Sequence, residues 1–284
     1  MSEQPGFNCE KGRGLLFQQI VRVLKISKPK AFLLENVPGL RDMKETYQHI
    51  LGAFEESGYH VFSEVYSARG LTATSRKRLF FVGFRKDPQE DRPMSFQFPF
   101  VPDLQLKAEN ILDYDDLPAT ELELLRLAET TMDQLLNGGR WRPHSLAWPN
   151  RPCGTITSHY GNSVGRGESQ LVPCAAPHNP RRFSIRECAR LMGFPDTFRL
   201  VPPKANQGDM AYRKLYYRMF GNAVCPPIVA VIAGAVVDEC QIFGSNGEHV
   251  DWTEQGLTTA IALGFMATRD TTVRLPLGCS VPSS

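Results

Sequence analysis

Apolar positions recur at helical spacing near the start of the chain. In LLFQQIVRVLKISK, beginning after Gly14, Leu16, Ile20, Val23 and Leu24 fall on one stripe, and Lys25 and Lys28 sit where a helix C-terminus favours cations. Pro29 ends that helix. The run from Ala31 to Val37, closed by Pro38-Gly39, reads as a strand buried on both faces. A second amphipathic stretch, about Lys44 to Glu56, stops at Ser57-Gly58, and two further strands follow near Val61–Tyr66 and Leu79–Phe84. Strand, helix, strand with such connections predicts a parallel or mixed α/β sheet.

Beyond Arg85 the texture changes. Prolines stand at 88, 93, 99 and 102, and one acidic amphipathic helix is predicted over roughly Ala119–Leu136. The irregular stretch GGRWRPHSLAWPNRPCGTITSHYGNSVGRG then predicts a smaller, loop-rich domain. Ile228 to Val237 is apolar on all sides, which predicts a buried helix returning to the first domain. The expected organisation is a discontinuous large domain over 12–86 and 212–240, a small domain over 87–211, and a tail over 241–284 with one helical piece, Leu257–Ala267.

Composition narrows the function. With 42% hydrophobic and 22% charged residues, a wholly disordered chain is excluded. Thirty-two Lys and Arg against 30 Asp and Glu leave a formal charge of +2, so any nucleic-acid contact must come from local patches. No apolar run approaches the ~18 to 20 residues that span a bilayer, and no signal-peptide core precedes Gly14. A soluble intracellular protein without a membrane partner is expected, nuclear in a eukaryote and cytoplasmic in a bacterium. Seven cysteines without a C-x-x-C pair, and six histidines without ligand spacing, predict no metal.

Four segments carry candidate chemistry. Glu35-Asn36-Val37 ends a strand, and ligands of open α/β sheets bind at that edge. A carboxylate there can accept hydrogen bonds from an amidine-like edge or, protonated, donate to a ring nitrogen; a polar turn is the plainer use of the tripeptide. In Arg76-Lys77-Arg78, alternation sends both guanidinium groups to one face, suited to a carbonyl, phosphate or carboxylate, or to a solvated charge cluster. Ser184-Ile185-Arg186-Glu187 is a capping box opening a short helix that Gly193 ends; Arg181, Arg182, Arg186 and Arg190 around it can reach phosphates. Gly221-Asn222 suits a tight turn, and Pro226 a helix start.

Together and in this order, these segments resemble the C-terminal two thirds of a cytosine-5 DNA methyltransferase. GRGLLFQQIVRVLKISKPKAFLLENVPGL resembles the approach to that family's Glu-Asn-Val motif, and ARGLTATSRKRLFFVGFR its Gln-x-Arg-x-Arg motif, with Thr74 in place of the glutamine. RPCGTITSHYG with RRFSIRECARLMGFPDTF, and YRMFGNAVCPP, resemble its last two motifs. The resemblance spans about 12–238 and implies a partial Rossmann-like S-adenosylmethionine-dependent methyltransferase sheet, an α/β fold, plus a smaller loop-rich target-recognition domain.

It also implies the chemistry. A cysteine thiolate adds at carbon 6 of a flipped cytosine, and carbon 5 then takes the methyl group of S-adenosylmethionine. Glu35 matches the glutamate that holds ring N3 and the exocyclic amine, with Asn36 beside it. Arg76 and Arg78 match the pair across the base pocket, one on the base carbonyl and one supporting the glutamate or the nucleophile loop. Asn222 and Val224 match the cofactor-side turn. The expected partner is double-stranded DNA, with Arg140, Trp141 and Arg142 as contact candidates in a loop, 138–151, that also holds His144, Trp148 and Arg151.

The Pro-Cys-Gln nucleophile loop and the glycine-rich cofactor loop are not found in the sequence. Cys9 has no preceding proline, and Pro152-Cys153 and Pro173-Cys174 flank TITSHYG in a later motif. The expectation is a truncated product, or half of a split enzyme whose partner chain supplies the rest. A non-catalytic DNA-binding remnant and an RNA (tRNA) cytosine-5 methyltransferase relative are the alternatives. An unpaired edge on the Ala31–Val37 strand would then favour self-association of the isolated chain.

Overall fold

The computed structural model describes residues 16–86, 95–113, 117–138, 146–162, 170–174, 179–201 and 208–240. Contacts divide the chain into two compact units. One holds the described residues within 16–67, 77–100 and 230–240, and the other those within 68–76 and 101–229.

The first unit is built on helix α1 (Leu16–Ser27), strand β1 (Ala31–Asn36), the short helix α2 (Gly39–Asp42), helix α3 (Lys44–Glu55), strand β2 (Tyr59–Ser67) and strand β3 (Lys77–Arg85). The sheet order is β1-β3-β2, with both pairings antiparallel. Among the described residues the sheet is therefore antiparallel rather than parallel or mixed as expected: β1 and β2 point the same way, but β3 inserts between them and pairs antiparallel with both. β3 is the central strand and alternates strictly. Leu79, Phe81 and Gly83 face one way, and Phe80, Val82 and Phe84 the other.

The first face packs Leu79 and Phe81 with Leu24 of α1, Ile50 and Phe54 of α3, and Phe32 and Tyr59. On the other face, Phe84 meets Phe62 and Phe96, and Tyr66 meets Phe80 and Phe98. Gly83 is required by the first face. It lies opposite Phe32 in the register, and a Cβ there would fall 2.1 Å from the Phe32 ring.

Several expectations are corrected here. The buried stripe of α1 is Phe17, Ile20, Val21 and Leu24, while Leu16 and Val23 are exposed. β1 is not buried on both faces: only Phe32 is fully buried and Leu33 is half-buried. A strand that pairs on one side only, among the described residues, leaves part of its surface open.

The second unit holds helices α4 (Ala119–Leu125), α5 (Glu129–Asn137), α6 (Ile185–Leu191) and α7 (Asp209–Asn222), and α8 (Pro226–Glu239) begins in it. The single helix expected over 119–136 is two. At the break, Arg126 turns extended and bridges to Arg181, and the Leu127 amide donates to the Pro180 carbonyl at 3.0 Å. Tertiary backbone pairing overrides the local helical preference of the segment.

α8 is buried along one face, Ile228, Val231, Ile232 and Val236, and Ala230 is exposed, so it is not buried all round. Taken with α7, the stretch Asp209–Glu239 is 31 residues and long and apolar enough to cross a membrane by length and composition. That departs from the expectation that no run reaches such a length. Its spaced buried face has the pattern of a core helix.

Candidate functional site

In the first unit, the ends of β1 and β3 bring two candidate residues together. Glu35 pairs with Phe80 in the sheet register and Asn36 with Leu79, which places Arg78 beside the end of β1. Arg78 Nε stands 2.7 Å from Glu35 Oε1, with the two side chains only 18% and 25% exposed. The Arg78 guanidinium also donates to the Lys77 carbonyl at 2.7 Å, so it is anchored on two sides. Asn36 Oδ1 accepts from the Val37 amide at 2.8 Å and closes the strand into the following turn. The product is a half-buried carboxylate held in place by a charge-assisted bond, with its second oxygen not engaged in that contact.

In the second unit Arg76 is 2% exposed. Its guanidinium donates to three backbone carbonyls: Ile156 at 3.1 Å, Gly221 at 3.1 Å and Ala223 at 2.8 Å. Arg76 thus ties the TITSHYG segment to the C-terminal end of α7. Thr74, which stands where a glutamine was expected, donates to the Gly154 carbonyl at 3.0 Å and bridges to Cys153. Segments 73–76 and 153–156 therefore lie side by side.

Gly221-Asn222 forms the last turn of α7 rather than a tight turn. Gly221 is needed for close approach, because a Cβ would fall 2.2 Å from the Ser158 amide nitrogen. Asn222 is exposed and Val224 half-buried.

The cysteine next to Pro152 is not a nucleophile. Cys153 is 1% exposed, and burial, with the Glu187 charge adding to it, pushes its thiol up to about 12. A thiol in that state is not ionised near neutrality.

The capping box is present as expected. Ser184 accepts from the Glu187 amide, and Glu187 accepts from the Ser184 amide. Glu187 also takes both arms of Arg181, at 2.7 and 2.8 Å, in a fully buried pair. Arg190 is bound to Asp196 and Asp113. Arg181 and Arg190 are therefore committed to internal carboxylates rather than to phosphates as expected. Sequence gave Arg181 no such assignment because its partner is recognisable only once the box has folded. Arg140, Trp141, Arg142 and His144 lie outside the described residues, while Trp148 and Arg151 are exposed.

The geometry defines a half-buried carboxylate–guanidinium pair at the strand ends of an antiparallel sheet, and comparison with known proteins gives it a family. The C-5 cytosine-specific DNA methylase family profile matches residues 3–238. The type II methyltransferase M.NlaX of Neisseria lactamica is 32% identical over 233 residues, covering 78% of this chain and 67% of that protein. M.SsoII of Shigella sonnei is 30% identical over 243 residues, covering 82% and 59%. Among solved structures, the Dnmt2 methyltransferase of S. pombe superposes with a TM-score of 0.59 at 19% identity, covering 81% of this chain and 75% of that one. The methyltransferase EhMeth of Entamoeba histolytica gives 0.58 at 18%, covering 82% and 73%. These likenesses show a Rossmann-like methyltransferase fold. The chain belongs to the C-5 cytosine-specific DNA methylase family, a family of transferases acting at cytosine carbon 5. It spans about two thirds of the length of M.NlaX and 59% of M.SsoII.

Proposed function

We propose that this chain provides the base-holding part of a DNA (cytosine-5-)-methyltransferase, with Glu35 gripping the N3 and amino edge of a flipped cytosine. The observation that carries this reading is the 2.7 Å Arg78–Glu35 pair at the strand ends, within a family match over 3–238. Arg78 fixes the carboxylate, so little ordering is needed when the base arrives. The bond also orients the carboxylate with its other oxygen available to the base. Arg76 acts differently: with its donors on three backbone carbonyls, it positions the loop and helix end rather than touching the base.

The family implies S-adenosylmethionine, which supplies the methyl group when bound. Asn222 fits one edge of it, since its exposed carboxamide offers a donor and an acceptor at the end of α7. Val224, half-buried two residues on, offers an apolar contact beside it. The thiolate nucleophile and the main cofactor loop come, in this reading, from a segment outside these 284 residues, on the same polypeptide or on a partner chain. The Pro-Cys-Gln tripeptide does not occur in the sequence, and Cys153 is buried with its thiol raised.

Base flipping is cheapest where the base is already unpaired. The test is therefore binding of the full chain to pooled duplexes of randomised sequence containing one mispaired cytosine, against fully paired pools and tRNA. Tighter binding to the mispaired duplex, lost in Glu35→Gln, is expected. Equal affinity for paired and mispaired DNA, or an unchanged preference in Glu35→Gln, would overturn the reading.

A further inference from the structure

The geometry points to a second substrate contact, resting on the reading above: a cleft in the second unit that grips one backbone phosphodiester of the nucleic acid, with Lys214 and Arg218 as its cationic positioning residues. The cleft, of about 340 Å³, lies between the 157–162 loop and α7. Lys214 and Arg218 are one helical turn apart, so both ammonium and guanidinium reach the same wall. Ser158 and Asn162 line the facing wall and bring neutral hydrogen-bonding groups, while Leu215 offers an apolar surface suited to the adjoining sugar. This is the composition expected of a contact that positions a nucleic-acid backbone without reading bases.

Two features separate this cleft from an ordinary basic surface. The first is its charge balance. Arg213, next in sequence, is neutralised by Glu121 at 3.1 Å, whereas Lys214 and Arg218 make no ion pair among the described residues. The acidic residue of α7 is Asp209, at the far end in the first turn.

The second is the rigidity of its walls. A Cβ at Gly161 would lie 3.0 Å from the Tyr217 ring and 3.1 Å from the Lys214 side chain, and one at Gly221 2.2 Å from the Ser158 nitrogen. Loop and helix thus touch backbone to helix at both ends of the cleft. Arg76 staples the same two segments through Ile156 and Gly221. A site held in advance spends little of its binding energy on ordering.

The experiment is binding of the full chain to duplex DNA by fluorescence anisotropy across a salt series. The proteins are the wild type, Lys214→Gln, Arg218→Gln, the double variant, and the charge-preserving Arg218→Lys. Each neutralised phosphate contributes roughly 0.9 to the slope of log affinity against log salt, so the double variant should lose about 0.9 of that slope and about tenfold in affinity. Arg218→Lys should keep the slope. Both residues are exposed, so circular dichroism should show the variants folded.

An unchanged slope in a double variant that still binds the mispaired duplex preferentially would overturn the phosphate assignment and leave the reading of Glu35 intact. No duplex binding by the wild type would overturn both. A cleft that protects the wild type thermally with inorganic pyrophosphate, while the double variant keeps its full salt slope on DNA, would be a small-anion site and would also overturn it.

Discussion

Replacing Arg76 with methionine removes one buried guanidinium and strands three carbonyls. Arg76 donates to Ile156, Gly221 and Ala223 at 2.8 to 3.1 Å, and its side chain is 2% exposed, so water has little access to take over. Hydrogen bonds to a charged group are worth about 1.5 to 3 kcal/mol each, and an unsatisfied buried acceptor costs about 1 to 3. The three contacts share one side chain and are not additive, and the methionine recovers some apolar packing, so the expected loss is about 3 to 5 kcal/mol. Two of the acceptors lie at the C-terminal end of α7, where a cation is also stabilised by the helix dipole. Against a typical domain stability of about 5 to 15 kcal/mol, such a loss is a large fraction. Urea denaturation of wild type, Arg76→Met and Arg76→Lys would measure it. Lysine keeps the charge but cannot span three carbonyls, so it should fall between the other two. A loss below about 1 kcal/mol in Arg76→Met would mean that the 156 segment and the end of α7 stay joined without the guanidinium, against this expectation.

Gly83→Ala should cost about 1 to 3 kcal/mol, because its methyl would fall 2.1 Å from the Phe32 ring; Phe32→Leu in the same chain should recover part of it in a thermal melt. Glu187→Gln should cost about 3 to 5 kcal/mol by leaving Arg181 buried without its counter-charge, and a near-wild-type denaturation midpoint would contradict that. Cys153 should resist iodoacetamide at pH 8 in the folded chain. Because folding raises its pKa, the thiol's contribution is intact below an unfolded value of about 8.5 and is lost as pH rises through about 12, so Cys153→Ala should flatten the alkaline limb of the stability curve.

Much of the first unit is legible in the sequence because its elements carry their own periodicity. β2 and β3 follow from alternation, α3 from its stripe, and the end of α3 from Gly58, whose φ of +89° glycine adopts readily. What escapes is what depends on partners far along the chain. The break between α4 and α5 exists because residues 180–182 take backbone bonds from and give them to 125–127. α7 is legible as a motif but not as a helix: Tyr216, Tyr217 and Phe220 are buried while Leu215 and Met219 are exposed, which blurs any apolar stripe. Arg76 and Arg78 are legible as a pair on one face, yet they divide their work. Arg78 meets Glu35, and Arg76 meets carbonyls 80, 145 and 147 residues away. No local pattern distinguishes those two fates.

In the proposed reading, Glu35, held by Arg78, recognises the amino edge of a flipped cytosine. At the exocyclic position cytosine offers an N–H donor where uracil presents a carbonyl acceptor, so the Glu35 oxygen aimed there can accept a hydrogen bond from cytosine and none from uracil. The most direct measurement is the affinity of the full chain for duplexes that differ only in one mispaired base, cytosine or uracil. The cytosine duplex should bind tighter by roughly tenfold to a hundredfold, as sites built to hydrogen-bond a polar group discriminate against an analogue lacking it, and most of that preference should be lost in Glu35→Gln. Equal affinity of the wild type for the two duplexes would contradict it.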